Sequence, residues 1–202
     1  LTHLKAGCIV ILAVRDDAIV DVAEQAAREL SGLEHDAEIR FCHMSGSMGT
    51  QPLEALIRAG APCGVFHLLQ SFPETGGEAL ILRSYVGIAG EASLVSDLQD
   101  LAQALKCVPF TLQDDQRSAY HAAAVLASNA LVSLLATARD VLIEAGLDSE
   151  LAGKMLLPLV QGTLSNMEKT SAEEAFTGPV VRGDAGTIRR HLDVLTGDAR
   201  RT

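Results

Sequence analysis

The run CIVILAV at residues 8–14, followed by Arg15-Asp16-Asp17, decides the fold. Seven consecutive apolar residues without a polar residue at every second position are typical of a strand buried on both faces, as in a parallel sheet. A helical pattern begins at Asp17, in which apolar residues recur every three or four positions up to Leu30. A buried strand followed directly by an amphipathic helix is the unit from which α/β sheets are built.

The same alternation of strand and helix continues as far as Gln113. Short apolar runs predict four further strands, at residues 39–42, 63–68, 85–89 and 108–112. Helical spacing predicts helices at residues 52–59 and 94–105. We therefore predict a mostly parallel sheet that is covered by helices on both faces.

From residue 115 onward the sequence shows only helical patterns, at residues 116–145, 148–169 and 184–196. Gly146 is placed to end the first of these helices, and Asp148 and Asp184 are placed to cap the other two. The predicted fold class is therefore α/β followed by all-α, with domains at residues 1–114 and 115–202.

Composition narrows the class of protein and of partner. The chain of 202 residues is 48% hydrophobic with a formal charge of −10, which predicts a globular protein that does not bind nucleic acid. Its four cysteines show no CxxC spacing, which favours free thiols in a reducing, cytoplasmic environment. Residues 122–138 carry no charge, but they are too few and too alanine-rich for a membrane span. We expect them to form a helix buried in a bundle or a dimer, and we predict no membrane partner.

Polar residues follow two of the predicted strands. His43 and Ser45 come after the second strand, while His67 and Gln70 lie at the end of the third. Ligands of α/β sheets bind beyond the carboxyl ends of the strands, so these side chains are candidates for proton transfer and substrate binding. A histidine at a strand end also serves as a purely structural hydrogen-bonding group, and this alternative stays open.

Two helical segments add further candidates. On a regular helix His121, Ser128 and Asn129 share one face, which either lines a cleft or is satisfied within the core. Near the end of the chain Arg182 precedes the Asp184 cap, so it lies beside an electropositive helix start that suits anions. The simpler alternative there is a capped helix with a solvated arginine.

Several motifs are missing from the sequence. It contains no G-x-G-x-x-G turn, no phosphate-binding loop, no G-x-S-x-G elbow and no histidine spacing typical of metal ligands. We therefore predict no metal site.

Five segments in this order resemble a family of uncharacterised proteins. They are LAVRDDAI at 12–19, HMSG at 43–46, FHLLQSF at 66–72, RSAYHAAAVLASN at 117–129 and TGPVVRGDAGTIRRHL at 177–192. The family pairs a Rossmann-like domain with a helical domain similar to the C-terminal domain of 6-phosphogluconate dehydrogenase. The resemblance implies a partial Rossmann-like domain followed by such a helical domain.

The resemblance also implies an activity and a site. The activity is hydride transfer between NADP or NAD and a small anionic hydroxy acid, keto acid or imine. The cleft would lie between the sheet edge and the helical domain, and homodimers would form through the helical domain. The expected catalytic residues are His67, His121 and Asn129. The expected substrate-binding residues are Ser45, Gln70, Ser128, Thr177 and Arg182. The expected cofactor-binding residues are Val14, Arg15, Asp16, His43 and Ser45.

Two departures from the family qualify this expectation. Relatives begin with a strand and a glycine-rich turn that this sequence does not contain, and they usually have proline where this chain has Leu68. We expect the chain by itself to bind dinucleotide weakly or not at all. The alternative hypothesis is a non-catalytic ligand-sensing or dimeric assembly module that has lost dinucleotide binding.

Overall fold

A computed structural model describes Leu1, residues 4–32 and residues 38–197. The chain divides into two compact units, Leu1–Ser128 and Asn129–Thr202. The first contains a sheet with its helices, and the described part of the second is helical, as the sequence predicts. The predicted domain limits, 1–114 and 115–202, stay a prediction.

The first unit is built on a five-stranded sheet in the order β1-β2-β3-β4-β5. The strands are β1 (Ile9–Leu12), β2 (Arg40–His43), β3 (Cys63–Leu69), β4 (Tyr85–Gly90) and β5 (Val108–Thr111). Three neighbouring pairs are parallel, which confirms the mostly parallel sheet, whereas β3 and β4 are antiparallel. Residues 70–84 between these two strands contain only the short 3₁₀ helix Glu78–Leu80, too little for the crossover that a parallel pair needs.

Eight α-helices complete the described part of the chain. The sheet unit holds α1 (Ile19–Leu30), α2 (Glu54–Arg58), α3 (Ala92–Ala104) and α4 (Arg117–Val125). The second unit holds α5 (Leu131–Glu144), α6 (Ser149–Met167), α7 (Ala172–Ala175) and α8 (Ala185–Leu195). The predicted caps are confirmed, since Asp148 accepts from the amides of Glu150 and Leu151, and Asp184 accepts from that of Thr187.

Apolar side chains cover both faces of the sheet. One cluster packs β1 and β2 against α1 and α2 around Phe41 and Ile19, and the other packs β3 and β4 against α3 around Phe66 and Leu98. The prediction that the first strand is buried on both faces is wrong. β1 lies at one end of the strand order, and Ile11 is 40% exposed.

The long helix predicted at residues 116–145 is not uniform. A π-helical segment, Leu126–Ala130, separates α4 from α5. Its wider turn breaks the 3.6-residue period, so the shared face predicted for His121, Ser128 and Asn129 does not follow from a regular helix.

The burial expected for residues 122–138 is not found within this chain. The helical stretch Asp114–Glu144 is long and apolar enough to cross a membrane by length and composition alone, a test that core helices of soluble proteins also pass. None of its most apolar window is buried. Leu126, Val132 and Leu134 are each about two-thirds exposed.

Candidate functional site

Strand register places His43 and His67 on the same face of the sheet. His43 pairs with Val65, and His67 follows Val65 by two residues, the period at which side chains return to one face. Both histidines lie toward the carboxyl ends of the parallel strands β2 and β3. These two side chains therefore lie at the edge of the sheet formed by the carboxyl ends of the strands, where the sequence predicts ligand binding.

The loop after β2 is held by hydroxyl and carboxylate groups. The Ser45 hydroxyl donates to Asp16 Oδ2 at 2.8 Å, and the Ser47 hydroxyl donates to the same oxygen at 3.2 Å. The Ser45 oxygen accepts from the amides of Ser47 and Met48, both at 3.3 Å. These bonds join the ends of β1 and β2 and bring the predicted residues Asp16 and Ser45 into contact.

His43 stabilises this loop from beneath. It is fully buried, its Nδ1 accepts from the Ser45 amide at 3.1 Å, and its Nε2 lies 2.7 Å from the Gly49 carbonyl. Burial lowers the pKa of His43, so the ring is neutral with its proton on Nε2. Because both nitrogens are bonded within the protein, His43 shapes the loop and offers no free atom to a ligand.

His67 is paired with Tyr120 of α4. Its Nδ1 lies 2.8 Å from the Tyr120 hydroxyl, and the two rings are almost perpendicular, at 87°. Gly87 lies opposite His67 on β4, and a methyl group there would contact the Phe110 ring at 3.3 Å. The Phe110 ring in turn meets the Tyr120 ring edge-on, with 5.8 Å between the ring centroids. The missing side chain at Gly87 thus leaves room for the two aromatic rings beside His67.

His121 lies next to this pair. Its ring centroid is 6.5 Å from that of His67, and its Nδ1 is buried without a hydrogen-bond partner among the described residues. Gly46 faces both rings. A Cβ atom at Gly46 would lie 2.6 Å from His67 Nε2 and 2.9 Å from His121 Nδ1. Only glycine allows the β2 loop to approach both nitrogens this closely.

A buried arginine supplies positive charge to the cluster. Arg117 is 1% exposed, and it donates to Asp114 Oδ1 at 3.2 Å and to the Leu112 carbonyl at 3.5 Å. Burial, with smaller effects from His121 and Arg117, lowers the pKa of His67 to about 4. His67 is therefore neutral at pH 7, with one ring nitrogen that donates a hydrogen bond and one that accepts.

The structure brings together five of the side chains predicted for the site, Asp16, His43, Ser45, His67 and His121, all within the sheet unit. Among the other predicted residues of that unit, Val14 is exposed, and Arg15 is exposed and paired with Asp17 at 2.8 Å. Gln70 accepts from the Ser71 amide, and the Ser128 hydroxyl donates to the Ala124 carbonyl. The remaining three, Asn129, Thr177 and Arg182, belong to the second unit, where Thr177 and Arg182 are exposed.

Three members of this cluster, Gly46, Arg117 and Tyr120, were not predicted from the sequence. The available signal was helical spacing, because residues 117, 120 and 121 share one face of α4. Among the described residues, no group of three or more His, Cys, Asp or Glu side chains is arranged to hold a metal ion.

The C-terminal part of the chain matches a known protein family. Residues 84–202 match the family described as a domain of unknown function, DUF2520. The chain belongs to the DUF2520 family. No curated protein matches this DUF2520 chain.

Solved structures similar to this DUF2520 chain include three with high overlap. Protein TM1727 from Thermotoga maritima has a TM-score of 0.74 and 25% identity, covering 97% of this chain and 74% of that protein. BF3122 from Bacteroides fragilis, provisionally described as an NADP oxidoreductase, has a TM-score of 0.71 and 20% identity. The match covers 96% of this chain and 70% of BF3122. A Plasmodium falciparum pyrroline carboxylate reductase solved with NADP bound has a TM-score of 0.63 and 12% identity. The match covers 94% of this chain and 75% of the reductase. The chain therefore has a Rossmann-like fold that it shares with NADP-dependent oxidoreductases.

Proposed function

We propose that this protein is an NAD(P)-dependent oxidoreductase that acts on a small anionic hydroxy acid, keto acid or imine. The observation that carries the proposal is the neutral His67, bonded to Tyr120 and facing His121 at the carboxyl end of parallel strands. Reduction of a carbonyl or imine needs a proton at the reacting atom, and a neutral histidine can give its Nε2 proton when Tyr120 donates a proton to Nδ1. The fold shared with NADP-dependent oxidoreductases supports the same class of reaction.

The residues at this edge of the sheet fit a dinucleotide in two respects. Asp16 and Ser47 offer a carboxylate and a hydroxyl that suit ribose hydroxyl groups, and the exposed Arg15 suits a phosphate. The buried Nδ1 of His121 has no partner among the described residues, as expected where a ligand completes the bonding. NADPH or NADH, when bound, would supply the hydride.

Each residue of the cluster then has a distinct task. His67 transfers the proton to a polar atom of the substrate. His121, the second imidazole of the cluster, binds the same atom. Arg117 supplies a fixed positive charge that adds to the effect of burial in lowering the pKa of His67. Asn129 and Arg182 remain proposed substrate ligands, in which Arg182 would bind the carboxylate through two parallel hydrogen bonds.

The proposal extends to the rest of the molecule in three ways. We propose that the helical unit is similar to the C-terminal domain of 6-phosphogluconate dehydrogenase, that the protein is cytoplasmic, and that it forms homodimers through the helical unit. Free thiols at all four cysteines accord with a reducing compartment.

The test is coenzyme titration followed by turnover. The full-length protein is titrated with NADPH and NADH by calorimetry, and nicotinamide absorbance is then followed with a panel of small keto acids and cyclic imines. His67→Gln should lower kcat by about 100-fold or more and leave coenzyme affinity unchanged. His191→Gln, an exposed position on α8, is the matched control. Failure of both coenzymes to bind, both to this chain and to a version preceded by a strand and a glycine-rich turn, would overturn the proposal.

One observation favours the second candidate, a non-catalytic dimeric assembly module. Large apolar side chains of the helical stretch are exposed, including Leu126 at 69% and Val132 at 68%. Apolar surface of this kind marks interaction sites. Sedimentation equilibrium with Val132→Lys decides whether this surface joins two copies, because a dimer that persists in the variant excludes it. A dimer without coenzyme binding would favour the assembly module.

A further inference from the structure

We infer that Tyr120 is a positioning residue that fixes the proton of His67 on Nε2 and so directs an N–H donor at the point where His121 and Gly46 meet. For the reaction that uses this donor, the inference rests on the proposed function. The tautomer itself is a property of the free protein and is testable without coenzyme.

The Tyr120 hydroxyl is held in place by its surroundings. The bond to His67 Nδ1 is 2.8 Å long, a normal hydrogen-bond length. The tyrosine ring makes edge contacts with the rings of Phe110 and His67. A Cβ atom built on Gly87 would lie 3.7 Å from the hydroxyl, so the glycine leaves room on the strand for the tyrosine to reach His67. The hydroxyl is therefore directed at Nδ1.

The direction of this hydrogen bond follows from the chemistry of the two groups. A phenol O–H is a stronger acid than a neutral imidazole N–H, and an imidazole nitrogen is a better acceptor than a phenol oxygen. The Tyr120 hydroxyl therefore donates, and His67 Nδ1 accepts. A neutral imidazole with an accepting Nδ1 carries its proton on Nε2.

The Nε2 atom of His67 lies near a buried nitrogen, His121 Nδ1, that has no hydrogen-bond partner among the described residues. A single point, the Cβ position built on Gly46, lies 2.6 Å from His67 Nε2 and 2.9 Å from His121 Nδ1. One donor and one nitrogen without a partner thus converge on the backbone of Gly46, which itself fills that point, so a polar atom of a ligand would bind both only beside Gly46.

The charged and titratable groups around His67 favour its neutral state. His121 and Arg117 on α4, together with His43 on β2, lower its pKa, and Asp16 after β1 opposes them. Burial is the largest cause of the lowered pKa. For Tyr120, burial raises the pKa and Arg117 lowers it, so the hydroxyl keeps its proton at neutral pH with a positive charge close by.

In the proposed reduction NADPH or NADH, when bound, would supply the hydride to the substrate carbon. His67 Nε2 would give its proton to the carbonyl oxygen or imine nitrogen. As that N–H bond breaks, the Tyr120 proton moves to Nδ1, and the phenolate that remains is stabilised by Arg117. Tyr120 regains a proton from water after product leaves.

The decisive experiment reads the ring nitrogens of histidine directly. Long-range ¹H–¹⁵N NMR spectra are recorded at neutral pH on the full-length protein with ¹⁵N-labelled histidine. We expect His67 to be neutral with its proton on Nε2. In Tyr120→Phe this preference should fall to the mixture of a free histidine, whereas Tyr85→Phe, which changes the exposed tyrosine of β4, should leave it intact.

Two results would overturn the inference. One is a proton on Nδ1 in the wild-type protein, which needs no variant to be seen. The other is an unchanged His67 signal in folded Tyr120→Phe, with the His43 signals serving as the check on folding. Loss of coenzyme binding would refute the proposed function and leave these spectra unaffected, so the two failures are distinguishable. Where turnover is found, Tyr120→Phe should lower kcat at least 10-fold at constant coenzyme KM and alter the pH profile.

Discussion

At the scale of the residue, the site depends on a glycine as much as on its polar side chains. Gly46 brings the β2 loop against the rings of His67 and His121, and any side chain there would occupy their contact surface. Gly87 has a similar effect on the sheet, since it makes room for Phe110 and Tyr120. Neither effect can be predicted from the sequence, because each depends on which element crosses above the glycine.

Gly46→Ala should destabilise the sheet unit by about 1–3 kcal/mol, because an added methyl group would lie within 3 Å of two histidine rings. Urea unfolding followed by circular dichroism measures the change. Gly32→Ala is the matched control, since a methyl group there has only an ordinary contact with the Glu29 carbonyl at 3.5 Å. Equal stability of the two variants would show that the loop does not pack on the rings as described.

At the scale of the element, sequence patterns predict most helices and strands but not how two of them are arranged. Strand runs and caps such as Asp148 and Gly146 are local features, and each of them forms where expected. The antiparallel β4 was missed, although residues 70–84 carry no helical pattern long enough for a crossover. The π segment Leu126–Ala130 left no recognisable signal among its alanines and leucines. Tyr120 was missed because its role requires α4 to cross the face that holds His67.

The cap of α6 gives a direct test of the second unit. Asp148→Ala should lower its stability by about 1 kcal/mol, because the side chain accepts from two amides of the first turn, both at 3.0 Å. Thermal unfolding measures the change. Asp140→Ala is the control, because its exposed pair with the neighbouring Arg139 contributes little. A cap variant as stable as the control would contradict the assigned helix start.

At the scale of the whole molecule, the buried histidines couple stability to pH. The pKa of His67 is about 4 in the folded chain and about 6.5 when unfolded, so the folded state favours the neutral ring. The contribution is fully present above pH 6.5 and is lost as the pH falls from about 6.5 to about 4. His43 acts in the same direction, because burial also lowers its pKa.

His67→Gln should therefore reduce the stability lost between pH 7 and about pH 4.5 by about 1–2 kcal/mol, after allowance for the partial exposure of the ring. Urea titrations at both pH values measure the difference. His191→Gln should lose as much stability as the wild-type protein. If His67→Gln also loses as much stability as the wild-type protein between these pH values, burial does not hold the His67 ring neutral.

The most direct test of the central claim is histidine NMR during titration with NADPH. If His67 and His121 form the reaction site, their ring signals shift as NADPH saturates the full-length protein, while the His191 signal on α8 stays constant. Binding that leaves the signals of His67 and His121 unchanged would contradict the account, because it would place the coenzyme away from the residues assigned to proton transfer.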